Sequence, residues 1–124
     1  MRSALVGLYL LGADSSGIVP MSVEAGPALI AEFLGTFALV YVILQTATTK
    51  STEGNSYYGL AIGFTVTAFA YAVGGISGGA FNPAVAFGIS TAGMADWANI
   101  WIFLVGNLAA GAAAAVVFKS VYSD

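Results

Sequence analysis

Long apolar stretches alternate with short polar or glycine-rich ones along this chain. The apolar runs cover residues 25–49, 57–73 and 97–118. A helix that crosses the hydrocarbon core needs about 20 predominantly apolar residues, so each run predicts a membrane span. Pro27 stands near the start of the first, where a missing N–H and a fixed φ suit an opening turn. Gly74 and Gly75 blur the end of the second. The polar stretch TTKSTEGNS separates the first two runs, and a Gly/Asn/Pro segment followed by STAGMAD separates the last two. Residues 3–12 are a further apolar piece, about 15 Å long as a helix, which is half a bilayer. It predicts the tail of a span whose start is missing, so residues 1–13 read as a remnant of a preceding transmembrane helix within a single domain of residues 1–124. The same opening could pass for a short signal peptide, but the run is short and no small-x-small cleavage pattern follows it in GADSSG.

Spacing within the runs adds a packing expectation. Gly59 and Gly63 form a GxxxG pair at the start of the second, and Gly106, Ala110 and Ala114 repeat at that spacing in the third. Small residues four apart let helix backbones approach closely in a bundle, so both sets are expected at helix contacts.

The stretch GGISGGAFNPAVAFG, residues 74–88, does not fit a continuous span. Irregular backbone survives at membrane depth only where it is buried in protein or lines a water-filled cavity. The segment therefore reads as a re-entrant piece. GGISGGAF, with Gly75, Ser77 and Gly78, is expected to descend in extended form with its carbonyls lining a narrow space. Asn82 then caps a helix that opens on Pro83, the positions both residues prefer. Residues 83–90 would make a half-helix about 12 Å long, enough to return from mid-bilayer to the surface the loop left. With its oxygen on the N–H groups of the first turn, Asn82 would turn its NH₂ into the cavity as a donor. The alternative for Asn-Pro is an ordinary surface turn.

Composition agrees with a life in lipid: 59% of the 124 residues are hydrophobic and 7% charged, against about 25% charged in soluble domains. Mean hydropathy is +0.91. The net charge of −3 and the lack of any basic patch argue against nucleic acid. With no Cys and no His, disulfides, thiol nucleophiles and the usual zinc and haem ligands are excluded, and no cofactor is called for. No nucleophile–base pair, metal cluster or phosphate loop points to an enzyme. Lys50 and Lys119 fall on one side if the Gly/Asn/Pro segment does not cross, with Asp14, Glu24 and Asp96 on the other. The excess of basic residues on cytoplasmic loops assigns the lysine side to the cytoplasm.

SGGAFNPAVAFG after a glycine-rich span, with AEFLGTF opening the span before it, resembles the aquaporin and glycerol-facilitator family, the major intrinsic proteins. The resemblance covers residues 24–119. It implies an all-α membrane fold of two inverted halves, each carrying one Asn-Pro-Ala half-helix, the two meeting at the membrane centre beside the pore. This chain matches one half: three transmembrane helices, a re-entrant half-helix and a short apolar N-terminal helix piece. The lysine topology selects the second half. On that assignment Asn82, Pro83 and Ala84 are the pore motif, and Ala70, Gly79 and Val85 are the selectivity-filter positions. Second halves of the family usually carry arginine where Val85 stands; valine there is common in first halves. A filter of small and apolar residues implies a wider, less polar passage than that of a strict water channel. Glu32, an acid within an apolar span, is implied as a buried acceptor bracing the loop's N–H groups. Thr36 is expected to bond within its own helix, Gln45 and Asn107 to make interhelical contacts, and Tyr57, Tyr58, Trp97 and Trp101 to form interfacial belts.

The sequence thus predicts a half-channel for passive transport of water or small neutral solutes. Its partners would be the bilayer and a complementary aquaporin-like half. The alternative is a non-transporting structural subunit of a larger membrane complex. Pairing two identical copies would require opposite orientations, which the lysine bias opposes.

Overall fold

The computed structural model describes residues 2–10, 12 and 18–122. Among the described residues five helices follow one another: α1 (Arg2–Leu10), α2 (Ala25–Ala47), α3 (Tyr58–Ser77), α4 (Pro83–Thr91) and α5 (Ile100–Val121). Short 3₁₀ turns occupy Lys50–Thr52 and Trp97–Asn99. The helices α2, α3 and the stretch Trp97–Val121 are long and apolar enough to cross a membrane. This is an integral, multi-pass, all-α membrane fold.

Side-chain contacts fix the helix directions. Glu32, near the start of α2, meets Ser77 at the end of α3, so these two helices are antiparallel. Gln45 Nε2, near the end of α2, donates to Tyr122 Oη just past α5 at 2.7 Å, so α2 and α5 run in parallel. Thr36 Oγ1 donates to Asn107 Oδ1 midway between them, at 2.8 Å. Lys50 and Lys119 therefore share one end of the bundle. At the other end, Met21 N–H donates to the Met94 carbonyl at 3.0 Å, tying the approach to α2 to the approach to α5. Glu24 and Asp96, expected opposite the lysines, lie at this end, while Asp14 lies outside the described residues.

Small residues make the α2–α5 contact. Ala28, Ala110 and Ala114 are fully buried, with Ala31 and Asn107 nearly so. A Cβ on Gly106 would lie 3.2 Å from Glu32 Cβ, so any larger residue would push α5 and α2 apart by a few tenths of an ångström at that level. Lipid tails are as apolar as leucine, so close packing rather than apolar burial drives such contacts. The expected contact at Gly59 and Gly63 is not made within the chain: a Cβ on either would meet nothing within 4 Å. Leu60, Phe64 and Tyr71 stand exposed on the same helix. The spacing reports a close-approach surface, and on α3 that surface faces outward.

Polar loops close the lysine end. Asn55 Nδ2 donates to the Thr46 and Thr52 carbonyls, and its Oδ1 accepts from Tyr57 and Tyr58 N–H. One side chain thus holds the end of α2 and caps the start of α3. At the opposite end Asp96 caps the 3₁₀ turn that leads into α5, its Oδ1 accepting from Ala98 N–H at 2.9 Å.

Two local expectations are corrected. The extended loop was expected to include Gly75 and Ser77, yet α3 continues through Ser77. A glycine in a helix interior costs only about 1 kcal/mol. An unpaired backbone group in lipid costs several, so the helix runs on until Gly78, with φ 94°, caps it in the left-handed conformation. Thr36 does not bond within its own helix, as Thr46, Thr65 and Thr67 do. It faces Asn107 across the α2–α5 contact instead.

Candidate functional site

The site is organised by a carboxylate. Glu32 lies seven residues into α2 and is fully buried. Its Oε1 accepts from Ser77 Oγ at 2.8 Å and from Ala80 N–H at 2.9 Å. Its Oε2 accepts from Phe81 N–H at 2.7 Å. Ser77 Oγ in turn accepts from Gly79 N–H at 3.1 Å. Every amide from Gly79 to Phe81 is thus satisfied by a side chain, which solves the problem of non-helical backbone deep in the bundle. Hydrogen bonds to a charged acceptor are roughly twice as strong as neutral ones.

The linker needs this anchoring because its backbone is unusual. Gly78 and Gly79 have φ of 94° and 65°, and Phe81 adopts φ 48°. The left-handed conformation costs a non-glycine residue about 1–2 kcal/mol. Phe81 is held there by Glu32 at its N–H and by its ring, which packs edge-to-face on Phe69 with centroids 6.1 Å apart. The ring also fills the space over Gly35, where a Cβ would collide with it. Gly35 lies about 15 Å along α2, close to the midpoint of a helix about 34 Å long.

From that depth α4 turns back. Asn82 is its N-cap, extended at φ −160°, and its Oδ1 accepts from Ala84 N–H at 2.8 Å. Pro83 is the first helical residue. The nine residues of α4 span about 13 Å and end near Met94, on the side from which α2 starts. The linker and α4 enter and leave on one face, the geometry of a re-entrant half-helix. Its N-terminus carries a partial positive charge at mid-depth.

The expected site residues separate into two groups. Glu32, Ser77 and the 79–81 backbone form one buried network. Ser77 is therefore an internal strut rather than an extended lining residue. Asn82, Ala84 and Val85 are exposed on the first turn of α4, Pro83 is half-buried beside them, and Ala70 is exposed on α3. Gly79 is half-buried, and a Cβ there would come to 3.4 Å from Gly74 Cα and 3.5 Å from the Phe81 ring. Gly75 is exposed within α3 and Gly78 at its cap. Sequence reasoning missed Gly35 and Phe81. The visible signal was a lone glycine in the middle of the otherwise apolar AEFLGTF.

A multi-pass helical membrane protein whose half-helix opens on a capped Asn-Pro-Ala turn at mid-depth is built like one repeat of a membrane channel. Comparison with known proteins agrees. The family model for Major intrinsic protein matches residues 4–118. The probable aquaporin TIP2-2 of Oryza sativa subsp. japonica is 40% identical over 127 residues, covering 98% of this chain and 51% of that protein. Aquaporin TIP2-1 of Zea mays is 37% identical over 98% of the chain and 51% of its own length. Aquaporin Z of Brucella melitensis biotype 1 is 46% identical over 73% of the chain and 42% of its own length. This chain belongs to the major intrinsic protein family. It spans about half the length of the curated relatives it matches.

Proposed function

We propose that residues 1–124 form one aquaporin-type half-channel domain for water or small neutral solutes, and that a pore forms when a complementary half supplies a facing half-helix. The observation that carries this reading is Asn82. Its oxygen is committed to the Ala84 N–H, which turns the amide's NH₂ away from the helix as a donor, and the residue is exposed. A neutral solute can accept from that donor, while a cation meets both it and the positive end of α4 and is refused. The role is passive passage past Asn82, Pro83 and Ala84, and no catalytic chemistry is invoked.

Ala70, Gly79 and Val85 are the filter positions on this reading. None carries a charge or a side-chain donor, so the narrow part of the pore discriminates by width more than by hydrogen bonding. Solutes larger than water, such as glycerol or urea, then pass more readily than they would beside an arginine.

The test is stopped-flow light scattering on vesicles holding this chain together with the complementary half of an aquaporin. Water or glycerol flux above that of vesicles holding the complementary half alone is the expected result. Flux equal to that control, with both chains present in the membrane, refutes the half-channel reading.

A further inference from the structure

A cavity of about 260 Å³ lies at the acidic end of the bundle, apart from the exposed first turn of α4. It is enclosed by the segment before α2, the end of α3, the turn after α4 and the start of α5. Met21, Ile89, Met94 and Phe103 supply apolar wall, and Asp96 and Asn99 supply polar wall. The polar groups are not equivalent to a ligand. Ser77 also borders the space, but its hydroxyl already donates to Glu32 and accepts from Gly79. Asp96 uses one oxygen, Oδ1, as a helix cap, which leaves Oδ2. Among the described residues no ion pair involves Asp96, and Lys50 and Lys119 sit at the far end of the bundle. The Asn99 amide makes no side-chain hydrogen bond among the described residues.

The geometry points to a binding site for a small cationic amphiphile, an ammonium group with a compact apolar body. The ammonium meets Asp96 Oδ2 and Asn99 Oδ1, and the body lies among Met21, Ile89, Met94 and Phe103. Methionine thioethers are flexible and polarizable, so two of them let one cavity fit bodies of differing shape. The volume falls just below the roughly 300–1,000 Å³ of sites for drug-sized ligands and is ample for a benzyl-sized body, since a cavity of about 150 Å³ already takes benzene. An anionic group is refused by the carboxylate. A neutral isostere fits the walls but leaves Asp96 without a counter-ion. The occupied cavity would press on Gly74 and Gly78, the hydrogen-bonded pair that closes the end of α3. This assignment does not depend on whether the chain conducts.

The experiment is thermal unfolding and calorimetric titration of the purified chain in a nonionic detergent, with benzylammonium as probe and benzyl alcohol as its neutral isostere. Two variants accompany it. Asp96→Asn keeps a good cap for Ala98 N–H and removes the charge. Met94→Trp fills the cavity from a side chain that is 54% exposed, so the core is left alone. Saturable binding of benzylammonium is expected, at least tenfold weaker in Asp96→Asn and absent in Met94→Trp, with benzyl alcohol no tighter than in Asp96→Asn. Equal responses to the two probes would mean partition into the micelle and overturn the assignment. Undiminished benzylammonium binding in Met94→Trp would mean diffuse attraction to the acidic surface and overturn it equally.

Discussion

Replacing Glu32 by glutamine changes one oxygen into a donor and leaves the shape almost intact. The amide oxygen can keep either the Ser77 and Ala80 pair or the Phe81 N–H, and its NH₂ must then face the donor or donors it cannot accept from. Keeping Oε1 is the better choice, which leaves the Phe81 N–H buried and opposed. A buried donor without a partner costs about 1–3 kcal/mol, so Glu32→Gln should destabilise by that amount. Glu32→Ala leaves both the Ala80 and Phe81 N–H groups unpaired, about 2–6 kcal/mol on the same scale. Relaxation of Phe81 out of its left-handed conformation returns about 1–2 kcal/mol of that. The order wild type, Gln, Ala should appear in thermal unfolding followed by far-ultraviolet circular dichroism in detergent. A double-mutant cycle with Ser77→Ala isolates the 2.8 Å bond, and a coupling of about 1 kcal/mol or more is expected for a charged acceptor. If Glu32→Gln and Glu32→Ala unfold at the wild-type temperature, the carboxylate is not holding the linker and the reasoning is wrong.

Gly35→Ala places a Cβ in the Phe81 ring and should destabilise by about 1–3 kcal/mol as an overpacked contact; Gly35→Ala combined with Phe81→Ala should recover part of the loss in the same melt. Gly63→Ala, facing open space inside α3, should stabilise the isolated chain by about 0.5–1 kcal/mol through helix propensity. Gly106→Ala, 3.2 Å from Glu32 Cβ, should cost about 1–3 kcal/mol, so equal melts for these two glycine variants would contradict the packing described. Asn82→Ala removes the cap of α4 and should cost about 0.5–2 kcal/mol; amide hydrogen exchange at Ala84 should rise with it. Val85→Arg, in vesicles that also hold a complementary half, should lower glycerol flux relative to water flux, and an unchanged ratio would remove Val85 from the filter.

What could be seen in the sequence and what could not divide along a physical line. Spans and polar connections are properties of composition over windows of about 20 residues, and these emerge as α2, α3 and α5, with the end of α3 carried on from residue 73 to Ser77. The Asn-Pro junction was legible because each residue has one strongly preferred place at a helix start, and that is where both are found. The end of α3 was misread because glycine was treated as a breaker. In a bilayer the demand for paired backbone groups outweighs glycine's poor helix propensity, so Gly74 and Gly75 stay helical. The direction in which a small-residue face points is likewise absent from local pattern. Gly59 and Gly63 have the same spacing as Gly106 and Ala110, yet the first pair meets open space and the second is buried against α2.

The Phe81 conformation shows where this limit comes from. Nothing in AFNP requires a left-handed phenylalanine, and local propensity opposes it. The conformation exists because two residues nearly fifty positions earlier complement it: Glu32 receives the N–H, and Gly35 leaves room for the ring. These lie three apart on one face of α2, the spacing at which side chains of a helix act together. A charge that is expensive inside an apolar span and a glycine that is poor in a helix interior are therefore one device. Each is unfavourable alone, and together they fix the depth and direction at which α4 begins. The signal was present in EFLG as a coincidence of two unfavourable choices on one helical face, and it becomes interpretable only once the segment they hold is known.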